Sequence, residues 1–275
     1  MIQSKTWGNV YVDGDVYTSG YFGLHILPTD QAQRNRDRYN AMVESILAKF
    51  AQYQSAHALM TSILKLYPKT VILRPYVPVA VQSDPKGDAC NSVTTPRDVK
   101  DAFPPNIDTK LCKPEGADKN DLGTGRGTKA TVYFSPWLWV DYKSTCVPTQ
   151  RGIAGANSDE VLLHELVHAL EIMSGTLDTC TRFPGHDDKF FRSSTVAEFN
   201  AVLVTNVYSS ETARPLSQDH SGFEELKPPL IATKNWYYDH FAAAIDRFAA
   251  AHPDLAAQLR SFATIRFNPF LHPGQ

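Results

Sequence analysis

The sequence lacks a long hydrophobic run, an apolar leader and an excess of charge of either sign. No stretch approaches the roughly 18 consecutive apolar residues of a membrane span, and residues 1–5 lack the apolar core of a secretory signal. The 275 residues include 27 basic and 29 acidic side chains, which gives a net charge of -2. We therefore expect a soluble protein with no membrane span, no N-terminal signal peptide and no nucleic-acid partner.

Closely spaced cysteine pairs are also missing. The four cysteines, Cys90, Cys112, Cys146 and Cys180, contain no Cys-x-x-Cys spacing, so they do not form the usual metal or redox pair. An even number permits two disulfides, and four reduced thiols in a cytosolic protein are the alternative. The cysteine count alone leaves both open.

The order of the predicted elements indicates a single α+β domain over residues 1–275. Strand signals fall in the first half and helix signals dominate the second, so strands and helices segregate rather than alternate. Residues 1–28 predict a β-hairpin segment, in which the runs 10–12 and 16–18 flank the turn Asp13-Gly14-Asp15. Residues 29–150 predict helices at 29–50 and 55–66, strands at 70–74 and 130–134, and a long structureless loop at 82–128. Residues 151–275 predict a mainly helical part, with helices at 157–173, 195–208, 236–251 and 253–265.

One helix carries the pattern His-Glu-x-x-His. His164 and His168 are four residues apart, so they project from the same helix face and can share one Zn²⁺. Glu165 follows the first histidine, where its carboxylate can reach a water in the open metal position. Nearly every other position of this helix is apolar, and a buried helix needs partners for two histidines and a glutamate. The pattern therefore predicts a zinc site of the metalloprotease type, with satisfied core histidines as the alternative.

The third zinc ligand has several candidates in the sequence. Glu171 and Ser174 stand where a metzincin would have glycine and histidine, which excludes that family. Glu198 lies 30 residues after His168 and opens a predicted helix, as in glutamate-ligand zincins. Asp178 follows the predicted helix end, and His186, with the two aspartates after it, lies in the next loop.

Two of these glutamates also have plainer interpretations. Thr195 stands three residues before Glu198, so Glu198 is alternatively the last residue of a capping box. Glu171 lies one turn beyond His168, where it would orient a ligand or be an ordinary helix residue rather than bind the metal itself.

Three segments around these positions resemble a known family. They are residues 159–169, 196–211 and 214–223. Together they resemble the zinc metallopeptidase toxin domains of bacterial secretion systems. The nearest resemblance is to effector domains carried by type VI secretion spike (VgrG) proteins, and a more distant one is to the NleD-like effector peptidases. The resemblance covers about residues 121–230.

The resemblance implies a zincin-type domain in which His164, His168 and Glu198 bind Zn²⁺ and Glu165 is the catalytic acid and base. It also implies a protein or peptide substrate, a cognate immunity protein, a secretion spike or other delivery protein, and action in the periplasm of a target cell. An oxidising destination favours two disulfides, for which the sequential pairing of Cys90 with Cys112 and Cys146 with Cys180 is the first to test.

Residues beyond the zinc ligands have weaker assignments. His220 and Tyr208 are candidates for the donor that stabilises the oxyanion of the reaction, and a surface histidine and a core tyrosine are the alternatives. The predicted strand 130–134 is a candidate for the sheet edge on which an extended peptide lies. Two other functions remain open: a non-catalytic zinc module that binds a partner, and an ordinary cellular metalloprotease with no toxin role.

Overall fold

The structure is a computed structural model of the 275-residue chain. It describes residues 1–14, 29–76, 92–105, 123–136, 154–180, 195–218, 225–226 and 234–271.

A mixed five-stranded sheet forms one layer of the fold. Its strands are β1 (Ile2–Gln3), β2 (Val10–Val12), β3 (Val71–Arg74), β4 (Val93–Pro96) and β5 (Ala130–Tyr133), in the spatial order β1-β2-β3-β5-β4. The three central strands are parallel, and the two outer strands each run antiparallel to their neighbour. Alternate residues of the central strands, such as Val71 and Leu73, are fully buried, which matches the period of two of a strand with one face on a core.

Seven helices complete the described architecture. They are α1 (Thr29–Phe50), α2 (Gln54–Leu64), α3 (Val99–Ala102), α4 (Ser158–Ser174), α5 (Val196–Glu211), α6 (Lys234–Ala251) and α7 (Pro253–Ser261). All five strands precede residue 134, and the long helices α4 to α7 follow it, so the arrangement is consistent with the predicted α+β class. The long helices begin and end within a few residues of the sequence predictions.

The predicted N-terminal hairpin is wrong in its pairing. Strand β2 forms as predicted, but its antiparallel partner is β1, with Ile2 opposite Val12. Its other side is occupied by β3 in parallel register, so β2 has no side left for a following strand. The run 16–18 lies outside the described residues.

The described parts of the segment 82–128, residues 92–105 and 123–128, contain regular structure where the sequence predicts a loop. Residues 92–105 include the edge strand β4, whose Thr94 lies opposite Val132 of β5, and the short helix α3, capped by the Asp98 side chain. The glycine-rich end of the segment forms a tight turn into β5: Gly125 and Gly127 both have φ of 69°. A side chain at Gly127 would overlap the carbonyl of Met173, so this turn packs directly on the end of α4.

Helix α4 is fixed at both ends. At the start, the backbone N–H of Asn157 donates to Glu160 Oε2 at 3.1 Å, as part of a capping box. At the end, Gly175 takes the left-handed conformation with φ of 76°, which is the usual way a helix stops at glycine. The Nζ of Lys69 also donates to the carbonyl of Met173 at 2.7 Å, which satisfies one of the last carbonyls of the helix.

The helices and the sheet share one hydrophobic cluster, whose members range in sequence from Trp7 to Phe270. Helix α6 turns an apolar face to this cluster, and the side chains of that face are at most 5% exposed: Phe241, Ala244, Ile245 and Phe248. No helix in the described part of the chain is long and apolar enough to span a membrane.

Candidate metal centre

Two histidines and one glutamate converge on a single point between α4 and α5. His164 Nε2 lies 3.0 Å from Glu198 Oε2 and 3.2 Å from His168 Nε2, and His168 Nε2 lies 3.4 Å from Glu198 Oε2. These three side chains form a group that could hold a metal ion. The structure thus brings together the three residues that the sequence analysis assigned as ligands.

The local sequence explains why each ligand stands where it does. The spacing of four on α4 places His164 and His168 one turn apart on one face, with their rings 4.9 Å apart edge-to-face. Glu198 is in the first turn of α5, where the Thr195 hydroxyl accepts its backbone N–H at 3.2 Å. Thr195 therefore caps the helix, as in the alternative interpretation of Glu198, while the Glu198 carboxylate is turned to the histidines.

The charges of the group favour an anionic Glu198 beside a cationic partner. Burial opposes ionisation of Glu198, but His168 and His164 outweigh it and lower the pKa of this carboxyl far below its usual range. Burial likewise disfavours the charged form of His168, but Glu198, Glu171 and Glu165 together raise its pKa well above the ordinary value. A partly buried cluster with this preference for positive charge suits a cation.

The motif glutamate, Glu165, is buried and held by the edge strand β4. Its Oε1 accepts a hydrogen bond from the Ser92 hydroxyl at 2.7 Å, and its Oε2 accepts one from the Thr94 hydroxyl at 2.6 Å. The Thr94 hydroxyl also lies 3.0 Å from the Glu165 carbonyl oxygen. Both carboxylate oxygens thus have a donor, which meets the cost of burying this charge.

A second buried carboxylate lies behind His168. Glu171 is 1% exposed, its Oε1 accepts the Asn200 side-chain amide at 2.7 Å, and its Oε2 lies 3.7 Å from His168 Nδ1. Burial, more than any neighbour, raises the pKa of Glu171. This carboxylate faces the far side of the His168 ring from Glu198.

Asp178 does not join the metal group. Its Oδ1 accepts the backbone N–H of Cys180 at 3.0 Å, and its Oδ2 lies 3.6 Å from Arg247 Nη1. The Asp178 carbonyl accepts the N–H of Ala197 at 2.8 Å. Asp178 therefore supports the start of α5 and is not a member of the three-residue group, and the other alternative ligand, His186, lies outside the described residues.

The structure separates Tyr208 from the metal group. Tyr208 is fully buried, and its hydroxyl donates to Asp159 Oδ2 at 2.7 Å. It lies ten residues after Glu198 on α5, about 15 Å along the helix. Tyr208 is thus a core tyrosine, which corrects its assignment as an oxyanion donor, and His220 lies outside the described residues.

The sheet order corrects the assignment of the substrate edge. The predicted edge strand, β5, lies between β3 and β4 and has both sides paired. Among the described strands, the outermost one on this side is β4. The strand that carries Thr94 to Glu165, directly after Ser92, is therefore also the edge strand beside α4.

Three residues around the site were missed by the sequence analysis. Ser92 and Thr94 lie within the segment assigned as a structureless loop, although the β-branched run Val93-Thr94-Thr95 favours a strand and could have marked them. Asn200 did carry a signal, because it is polar within the apolar run of α5 and such a residue needs a buried partner.

The disulfide prediction is partly tested. Cys180 is disulfide-bonded, whereas Cys90, Cys112 and Cys146 lie outside the described residues, so the predicted pairing stays a prediction. The Cys180 carbonyl accepts the N–H of Val196 at 3.0 Å. The disulfide-bonded residue therefore contacts the first turn of the helix that carries Glu198.

Comparisons of the chain with protein-family models, with curated proteins and with solved structures gave no match.

Proposed function

We propose that this protein is a zinc-dependent endopeptidase with a zincin-type active site. The observation that carries the proposal is the triangle formed by His164 Nε2, His168 Nε2 and Glu198 Oε2, with sides of 3.0, 3.2 and 3.4 Å. Ligand atoms about 2.1 Å from a tetrahedral zinc ion stand about 3.4 Å apart. The triangle therefore has the dimensions of one face of a zinc coordination shell.

The number of ligands favours catalysis over a purely structural metal. Structural zinc sites use four protein ligands, and catalytic sites use three and leave a position for water or substrate. The group found among the described residues has three members. Histidine nitrogen and carboxylate oxygen are also ligands that zinc prefers in hydrolases.

Glu165 supplies the acid–base chemistry in this proposal. Zinc bound by the triangle would make its water acidic near neutral pH and would polarise the carbonyl of the scissile bond. The Glu165 carboxylate accepts the proton of the attacking water and later delivers it to the departing amine. Ser92 and Thr94 hold that carboxylate in one orientation, which reduces the freedom it loses during the reaction.

The edge strand β4 is the proposed binding edge for an extended protein or peptide substrate. It is antiparallel to β5 and outermost among the described strands, and peptides commonly bind such edges by adding a strand. Thr94 is in this strand and contacts Glu165, so a peptide on its outer side would lie close to the catalytic carboxylate.

The biological role in the proposal comes from the sequence resemblance. We infer an antibacterial or host-directed effector toxin, delivered by a secretion system and active in the periplasm of the target cell, with a cognate immunity protein. The disulfide at Cys180 supports an oxidising destination, because structural disulfides persist in the periplasm and outside the cell.

Metal binding is the first test. Glu198→Ala removes one of three ligands, and we expect zinc affinity, measured by competition with a chromogenic chelator, to fall at least a hundredfold. Asp178→Asn is the matched control, because Asp178 supports the same helix from outside the triangle, and it should keep affinity within a few fold. The reverse ranking would make Asp178 the ligand.

Catalysis is tested separately from metal binding. Glu165→Ala should keep zinc and lose proteolysis of target-cell proteins by about 10²-fold or more, since general-base catalysis contributes at least that much. Growth arrest on export of the wild type to the periplasm, absent for Glu165→Ala, would support the toxin role. A Glu165→Ala variant that cleaves at the wild-type rate contradicts the hydrolase proposal, and proteolysis without arrest leaves an ordinary metalloprotease.

A further inference from the structure

Glu171 is a buried carboxyl group that the proposed reaction does not use. It is 1% exposed, and its Oε2 has no hydrogen-bond partner among the described residues. A buried carboxyl oxygen without a hydrogen-bond partner destabilises the fold. Such a group therefore calls for a functional explanation, and the first place to look is its nearest polar neighbour. The nearest recorded polar neighbour of Oε2 is Nδ1 of His168, at 3.7 Å.

The two ring nitrogens of His168 face different partners. Nε2 points into the metal triangle, at 3.2 Å from His164 Nε2 and 3.4 Å from Glu198 Oε2. Nδ1 therefore faces away from the triangle and toward Glu171. A histidine that binds a metal through Nε2 carries its proton on Nδ1, and an acceptor at Nδ1 fixes both that tautomer and the ring orientation.

Asn200 holds the other oxygen of the same carboxylate. Its Nδ2 donates to Glu171 Oε1 at 2.7 Å, and the Asn200 side chain is itself buried. Asn200 follows Glu198 by two residues on α5, so one helix supplies both the third ligand and the donor that orients Glu171. A shift of α5 against α4 would disturb both together.

We propose that Asn200 and Glu171 form a positioning relay for His168: Asn200 fixes the Glu171 carboxyl group, and Glu171 Oε2, 3.7 Å from Nδ1, becomes the acceptor of a hydrogen bond from Nδ1–H when Nε2 binds zinc. Both are positioning residues, because neither touches the metal position. The inference rests on the proposed zinc site and adds two residues that determine its affinity.

The test measures zinc dissociation constants by chelator competition for Glu171→Leu, Glu171→Gln, Asn200→Leu and the Glu171→Leu/Asn200→Leu double variant. Loss of a residue that orients a metal ligand typically weakens binding by about 10- to 100-fold. We expect roughly 100-fold for Glu171→Leu and about tenfold for Asn200→Leu. Glu171→Gln keeps an oxygen acceptor and should recover much of the affinity.

The double variant distinguishes a relay from two separate effects. Because Asn200 acts through Glu171, the double variant should bind zinc no more weakly than Glu171→Leu alone. Losses that multiply would overturn the relay, as would a Glu171→Leu variant within threefold of wild type. Thr205→Val is the matched control: it removes a buried hydroxyl of α5 that has no hydrogen-bond partner among the described residues, and it should leave zinc affinity unchanged.

Nitrogen-15 NMR of the histidine rings gives a readout that survives if a leucine variant fails to fold. In the zinc-loaded wild type we expect His168 to be the Nδ1–H tautomer with a slowly exchanging ring proton, and faster exchange of that proton in Glu171→Gln. The opposite tautomer would refute the relay. A wild type that binds no zinc would instead refute the proposed function, and zinc binding without proteolysis would leave the relay standing.

Discussion

The hydroxyl of Tyr208 donates a 2.7 Å hydrogen bond to Oδ2 of Asp159. Asp159 Oδ1 accepts a second bond from Arg214 Nη1 at 2.9 Å, and Lys49 of α1 also pairs with its carboxylate. These donors lower the pKa of Asp159 to about 2 even though burial opposes its ionisation. The first turn of α4, five residues before His164, is thereby tied to α1 and α5.

Tyr208→Phe should destabilise the protein without changing its chemistry. The substitution removes one hydrogen bond to a buried carboxylate, which typically costs about 1–3 kcal/mol in the free energy of unfolding. Urea denaturation measures that loss, and zinc affinity and proteolysis should stay at wild-type values. A fall in kcat at unchanged stability would instead support a catalytic role for Tyr208.

Loss of the Thr94 hydroxyl in β4 should lower both the stability of the protein and the activity that depends on Glu165. Thr94→Val leaves Glu165 Oε2 without its 2.6 Å donor and keeps the shape of the side chain. We expect unfolding free energy to fall by about 1–3 kcal/mol and kcat to fall more than KM changes. Thr94→Ser keeps the hydroxyl and is the matched control. Equal kcat for Thr94→Val and Thr94→Ser would show that the hydroxyl does not position Glu165.

Acidification should destabilise the fold through His252. Burial lowers the pKa of His252 to about 4, and its Nε2 lies 3.2 Å from the Thr176 hydroxyl. The unfolded chain binds a proton near pH 6.5 and the folded chain does not, so stability is lost as pH falls from about 6.5 toward 4, by at most about 3 kcal/mol. In His252→Gln, unfolding free energy should depend less steeply on pH over that range. An unchanged slope would rule out this assignment.

Removal of the disulfide at Cys180 should lower both the stability of the protein and the zinc affinity of the proposed site. The Cys180 and Asp178 carbonyls accept the N–H groups of Val196 and Ala197, just before Glu198. Cys180→Ala should lower unfolding free energy by about 2–4 kcal/mol and weaken zinc binding, because the first turn of α5 loses its anchored acceptors. Chelator competition and thermal unfolding measure the two effects. Wild-type zinc affinity in this variant would show that Glu198 is positioned independently of the disulfide.

The grouping of His164, His168 and Glu198 could be predicted from the sequence better than the order of the strands in the sheet. The reason is that helix ends depend on residues close in sequence, whereas strand pairing depends on distant ones. The ends of α4 and α5 follow from local signals, namely Asn157, Gly175 and Thr195, and the histidine spacing follows from helix geometry. The β-branched residues of β4 favour a strand, but β4 has only four residues and pairs with β5 more than thirty residues later, so its partner and its place at the edge depend on tertiary pairing.

The errors about β5, β2 and Tyr208 share that origin. Whether a strand is central or at an edge depends on which distant segments pair with it, and β5 gains β4 on its outer side. The antiparallel partner of β2 is β1, which precedes it in the chain. Strand β1 has only two residues, too few to show a strand pattern in the sequence. Tyr208 was placed by its nearness to Glu198 in sequence, yet ten helical residues separate the two along α5.

The capping of α4 has a consequence for how the metal is acquired. Asn157, Gly175 and Lys69 fix the two ends of the helix through contacts that involve neither histidine nor Glu198. Zinc fingers fold only when they bind their ion, whereas here the fold is held by caps and a large apolar core. Stripping by a chelator should therefore yield a folded protein that can be reloaded, so under the proposed function delivery of the protein and its loading with zinc would be separate events.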